Sequence, residues 1–289
     1  MSAAPRVAEV MADGLRTRYL VAGEGPPLVL LHGTTLGIDA RATWLRTIPA
    51  LAARYRVHAP DMPGFGGTEA AADGAHMSRP RRSAFVRAFL EALGLSGCVL
   101  VGHSEGGFVA THLALDAPHL CRALVVVASG ATAPATGDAA QDAAWAAAGA
   151  RVYDLRPCDT EAGFLRTIAP LSLTNPPDYL ALMRGNYRTA IASGQRERLA
   201  AAAAAGGTWR DYVRLQEEHL FPRLGGLSQP ALLAWAACDE TVPVARALRL
   251  HERMPGADLH VFARAAHMVM IDRPEAFNAL LLHWLEGLA

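Results

Sequence analysis

Residues 102–107, "GHSEGG", follow the apolar run "CVLV" at 98–101 and precede "FVATHLAL" at 108–115. A polar triplet fenced by glycines thus joins a segment of buried-strand character to one of helical period. Gly102, Ser104 and Gly106 match G-x-S-x-G in the strand-to-helix context that this pattern requires. A serine at so sharp a turn takes a strained backbone, and the residues two before and two after it must be tiny to clear the adjoining strand and helix. Its hydroxyl would project above the carboxyl edge of a sheet, at the positive end of the helix that begins near Glu105. Gly107 is expected to let that helix pack closely.

Working outward from this turn, short apolar runs alternate with helical segments. Runs at 28–33, 55–61, 98–104 and 122–129 are separated by helical stretches at 43–53, 80–93 and 105–116, which predicts parallel strands joined by crossover helices. Their apolar side chains fall on consecutive positions, as expected of a sheet covered on both faces. Ahead of them, "VAEVMADGLRTRYLVAG" predicts two antiparallel strands around Asp13-Gly14. From 131 to 228 the pattern becomes Ala-rich and helical, with a helix start at the Pro-Pro pair after Asn175 and no convincing strand. The alternation resumes with a strand at 231–239, a helix at 243–253, a strand at 257–263 and a helix from 274 to about 285. The fold class is therefore α/β: a mostly parallel, doubly wound, eight-stranded sheet. Its core spans 1–130 and 229–289, and 131–228 form an inserted helical lid.

Composition narrows the function. The chain has 289 residues, 27 basic against 27 acidic, and 52% apolar residues, enough for a large core. The even charge offers no basic stripe for nucleic acid. No apolar stretch reaches the length of a bilayer span, and the N-terminus lacks a signal-peptide layout, so no membrane association is expected and the location is read as cytoplasmic. Cys98, Cys121 and Cys238 lie in or beside strand-type runs without C-x-x-C or zinc-ligand spacing, and are read as reduced core thiols. Without H-E-x-x-H, G-x-G-x-x-G after a strand or a Walker-type loop, no metal and no organic cofactor is implied.

A serine hydroxyl needs a base and a carboxylate brought from other strand ends. Of eleven histidines, His267 in "RAAHMVMIDRPEAFN" sits between the last strand and the last helix, where a loop can reach Ser104. His103 is locked beside the nucleophile and points elsewhere. No acid follows the strand ending near 128, whereas "CDETVP" follows the strand ending at Trp235, which makes Asp239 the carboxylate and Glu240 its surface competitor. "LHGTTLG", directly after the strand at 28–33, predicts an oxyanion hole made by the backbone N–H groups of Thr34 and Glu105.

The ordered set "LHG", "DMPGFGGTE", "GHSEGG", "AWAACDETVP" and "AAHMVMIDRPEAFN" resembles the α/β-hydrolase superfamily along nearly the whole chain. Within it, "HGTTLGIDARATW" and the lid segment "LSLTNPPDYLALMRGNYRTA" are similar to the branch of meta-cleavage-product hydrolases, which cut C–C bonds in ring-fission products. That resemblance implies Asn before the nucleophile and Trp after the catalytic histidine, where this chain has His103 and Met268. The expectation is a serine hydrolase acting on a small-molecule ester, thioester or lactone, with C–C hydrolysis second and a non-hydrolytic or ligand-binding member third. His103, Arg184, Arg188, Met268 and Trp145 are the candidate substrate contacts, a guanidinium being suited to a carboxylate. Phe65, Phe164, Met183, Tyr187 and Met270 are further candidates for an apolar pocket. Oligomeric state is left open, with a homodimer as one option.

Overall fold

The computed structural model describes residues 4–206 and 211–288. One eight-stranded sheet runs in the order β1-β2-β4-β3-β5-β6-β7-β8. Its members are β1 (Arg6–Ala12), β2 (Leu15–Ala22), β3 (Pro27–Leu31), β4 (Arg56–Pro60), β5 (Cys98–His103), β6 (Cys121–Val127), β7 (Ala231–Ala236) and β8 (Ala257–Phe262). The β1–β2 hairpin is antiparallel and turns through Asp13 (φ 49°) and Gly14 (φ 74°), both left-handed as a two-residue hairpin demands. β2 pairs antiparallel with β4, and every later pairing is parallel.

The four central strands explain their consecutive apolar residues. Leu28–Leu31, Val99–Val101, Ala123–Val127 and Leu232–Ala236 are 0–1% exposed, because helices cover both faces. At the far edge, β8 leaves Asp258, His260 and Val261 exposed, as suits a strand with only one neighbour. The chain passes from β3 outward to β4 and then returns across β3 to β5. This reversal opens a crevice at the carboxyl ends of β3 and β5, the place where an open α/β sheet binds ligands.

One expected helix divides. Residues 43–53 were to form a single element, but the chain makes two short turns, Ala40–Thr43 and Thr47–Leu51. Asp39 caps the first by accepting from the Ala42 N–H at 2.7 Å. Pro49 would collide with the carbonyl four residues earlier in a continuous helix, so the break falls at Trp44–Arg46. Between β6 and β7 the described residues form helices and no strand, among them Ala139–Val152, Glu161–Ile168, Pro177–Ala192, Gln195–Ala204 and Tyr212–His219. Cys238 differs from its expected core position: β7 ends two residues earlier and the thiol is exposed.

Candidate active site

Five loops leave the carboxyl edge of the sheet at one place, following β3, β5, β6, β7 and β8. The loop after β5 is the tightest. Ser104 has φ 54° and ψ −122°, and its N–H donates to the Val127 carbonyl at 2.9 Å. A Cβ on Gly102 would stand 2.1 Å from the Gly106 carbonyl oxygen, and one on Gly106 would stand 2.4 Å from that of Leu31. Those glycines therefore permit the strand, the turn and the helix Glu105–Asp116 to touch one another backbone to backbone. Gly107 lets the same helix lie against Ser129, whose Cβ would be 2.6 Å from an added methyl.

Asp239 and His267 meet over this turn. The His267 Nδ1–H donates to Asp239 Oδ2 at 2.8 Å, with both side chains almost fully buried. Asp239 Oδ1 accepts from the Thr241 N–H (2.8 Å), the Thr241 hydroxyl (2.6 Å) and the Val242 N–H (3.0 Å). Burial alone would raise the carboxyl's pKa, but the imidazole and these donors outweigh it and hold the group below the usual carboxylate range. Asp239 thus stays ionised beside the imidazole, whose residue lines the same cavity as Ser104. Glu240, its sequence competitor, is exposed and lies 3.6 Å from Arg151 on the surface.

On the other side of Ser104, Thr34 and Glu105 are joined through their side chains. The Thr34 hydroxyl donates to Glu105 Oε1 at 2.8 Å, and Arg82 Nη1 donates both to the Thr34 hydroxyl (2.7 Å) and to Glu105 Oε1. Arg79 Nε lies 3.0 Å from Glu105 Oε2, and all three charged side chains are at most 4% exposed. Burial would push the Glu105 carboxyl up, but the guanidiniums of Arg79 and Arg82 bring it down to about 2. His32 fixes the loop beneath. Its Nε2 accepts from the Met62 N–H at 2.9 Å, which leaves Nδ1–H to donate to the Gly33 carbonyl at 2.7 Å. Neither the arginines nor His32 stood out in the sequence. The available signal was the acid in the elbow itself, since a buried carboxylate at that position demands a cation.

Ser104 and His267 line one small cavity together with Thr34, Gly130, Trp145 and Thr241. Its volume is about 40 Å³. Val152, Tyr153, Leu171 and Tyr212 complete its roof, and the Tyr153 and Tyr212 hydroxyls are hydrogen-bonded at 2.9 Å. Of the expected substrate contacts only Trp145 belongs to this wall. Arg184 and Arg188 are corrected: both are largely exposed and pair with Glu161 on the outer face of their helix. His103 turns behind the site, its Nε2–H donating to the His267 carbonyl at 3.0 Å. Burial and the neighbouring His267 depress its pKa to about 3, so it is neutral. Met268 is buried away from the cavity, its N–H on the Leu171 carbonyl at 2.8 Å. Phe164 and Tyr187 stack on one another at 4.9 Å instead of lining the cavity, and Phe65, Met183 and Met270 lie in the core.

Residues 26–274 match the alpha/beta hydrolase fold family. The chain belongs to that family. This α/β-hydrolase is 32% identical over 275 residues to 2-hydroxymuconate semialdehyde hydrolase of Pseudomonas sp. (strain CF600), covering 94% of this chain and 91% of the relative. It is also 32% identical over 273 residues to the pimeloyl-[acyl-carrier protein] methyl ester esterase of Aeromonas hydrophila subsp. hydrophila, covering 91% and 96%. Among solved structures, a meta-cleavage product hydrolase from Pseudomonas fluorescens IP01 superposes with a TM-score of 0.85 at 26% identity, covering 98% of both chains. No helix among the described residues of the α/β-hydrolase is long and apolar enough to cross a membrane.

Proposed function

We propose that this α/β-hydrolase cleaves a small-molecule carboxylic ester, thioester or lactone through a covalent acyl-Ser104. Ser104 Oγ attacks the carbonyl carbon as His267 Nε2 takes its proton, and Asp239 holds the imidazole through Nδ1–H. The carbonyl π pair moves onto oxygen, which accepts from the backbone N–H groups of Thr34 and Glu105. Collapse expels the alcohol or thiol, which takes the proton from His267. Water, deprotonated by the same imidazole, then attacks the acyl carbon, and collapse breaks the Ser104 Oγ–acyl bond as His267 returns the proton to Oγ and the acid leaves.

The observation that carries the ester reading is the cavity wall. Among the described residues around Ser104 the wall is apolar or hydroxyl-bearing, with His267 its sole ionisable base, and Arg184 and Arg188 face outward. A dienoate carboxylate would find no guanidinium on those positions to hold it. The helices described between β6 and β7 act as a lid over this wall, because Trp145, Tyr153, Leu171 and Tyr212 all come from that stretch of chain. C–C hydrolysis of a vinylogous diketone is the second reading, favoured by the likeness to 2-hydroxymuconate semialdehyde hydrolase over almost the full chain.

The test is a matched pair of substrates, a p-nitrophenyl ester and a ring-fission dienoate, offered to wild type and Ser104→Ala. The expected result is ester turnover preferred over the dienoate in kcat/KM, and lost by at least about four orders of magnitude in the variant. Preference for the dienoate would replace the first reading with the second. Full ester turnover by a folded Ser104→Ala would remove both.

A further inference from the structure

We infer that the side chains of Thr34, Glu105 and Arg82 form a clip that sets the spacing of the two oxyanion N–H donors. Glu105 is then a positioning residue through its carboxylate as well as a donor through its backbone. This inference rests on the proposed role of Ser104 as nucleophile.

The two N–H groups belong to loops on different strands, 71 residues apart in sequence. Glu105 opens a helix and moves with the elbow, whereas Thr34 sits in an irregular loop after β3. What joins them is a closed triangle. Thr34 Oγ1 donates to Glu105 Oε1 at 2.8 Å, Arg82 Nη1 donates to Thr34 Oγ1 at 2.7 Å, and Arg82 Nη1 also donates to Glu105 Oε1. Arg82 is held in turn by His76 on Nη2 and by the Phe65 ring 5.2 Å from its Cζ.

Charge gives the same assignment. A carboxylate buried beside the place where negative charge develops would oppose catalysis if it stood alone. Here two buried guanidiniums face one carboxylate, so the three groups carry a net positive charge beside the hole. An apolar residue would fill the space after Ser104 without the desolvation of three ions. The ionic arrangement gives in exchange a fixed geometry for donors that must be held to within about half an ångström of their productive position, about 3 Å from the developing oxyanion.

Thr34→Val tests this, because it keeps the N–H and the shape and removes only the hydroxyl. With a p-nitrophenyl ester, kcat is expected to fall about ten-fold while KM stays within about two-fold, since loosening a donor costs less than removing it. Phosphonylation of Ser104 by a fluorophosphonate should slow by a similar factor, and Thr34→Ser should recover most of the loss. A merely structural hydroxyl would lower the melting temperature and leave kcat in place. The clip is overturned if folded Thr34→Val keeps kcat within about two-fold of wild type. Should that variant not accumulate, Thr34→Cys, with its weaker donor, takes its place under the same criterion. The two readings fail separately: an active Ser104→Ala removes the nucleophile, and an inactive Ser104→Ala beside a fully active Thr34→Val removes the clip alone.

Discussion

Asp239 shows how much is asked of one carboxylate. One oxygen orients His267 at 2.8 Å while the other is saturated by three donors from residues 241 and 242, so the group can neither rotate nor take up a proton readily. Asp239→Asn keeps the shape but offers an amide N–H or a neutral oxygen to the imidazole, which favours the wrong tautomer. kcat for a p-nitrophenyl ester should fall about 10⁴-fold with the fold retained, measured by steady-state kinetics beside a thermal melt. Glu105 makes a different prediction. Its pKa is about 2 in the folded chain against an ordinary 4.5, so between those values the native state holds fewer protons than the unfolded one. Its ion pairs therefore contribute fully above about pH 4.5 and are lost as the pH falls through about 2. The gap in melting temperature between wild type and Glu105→Gln should be widest near neutrality and close on acidification, and a gap independent of pH would contradict this assignment.

At the scale of elements, the loop that carries His267 is tied to the helical segment through Asp272. Its carboxylate accepts from the Ala266 N–H (2.8 Å), the Leu173 N–H (3.1 Å), the Thr174 N–H (3.0 Å) and the Ser172 hydroxyl (2.6 Å). Asp272→Ala strands those donors, of which the Ala266 N–H and the Ser172 hydroxyl are buried, and should cost about 3 kcal/mol in urea unfolding, with a fall in kcat as His267 loosens. This tie could not be read from the sequence, because its partners at 172–174 lie about a hundred residues away. The strands were legible, since burial on both faces writes itself as consecutive Val and Leu, and so was the elbow, where Gly102 answers to the carbonyl of Gly106 four residues on. The division of 43–53 was legible in principle at Pro49. Arg184 and Arg188 were misread because a helix offers no sequence signal that tells a cavity-facing guanidinium from one turned to an exposed Glu161. Arg79 and Arg82, in "SRPRRSAF", read as a charged helix start until the fold brought Glu105 against them.

Over the whole molecule, the sheet edge and the helical segment leave a narrow, partly open cleft of about 40 Å³ at Ser104. Trp145, the bulkiest residue of its wall, limits the acyl group that the cleft can seat. Trp145→Ala should raise kcat/KM for long or branched acyl esters relative to acetyl and lower stability by about 3 kcal/mol, read from an acyl-chain series and a denaturant melt. Stability and the proposed chemistry also meet at Ser104. Ser104 holds a φ of 54°, a conformation that costs a residue bearing a Cβ on the order of 1–3 kcal/mol and costs glycine far less. Ser104→Gly should accordingly melt higher than Ser104→Ala, and higher than the active protein itself. On the proposed mechanism the native chain is in that sense a less durable object than its Ser104→Gly variant, and selection for thermal endurance alone would erode the position proposed to attack substrate.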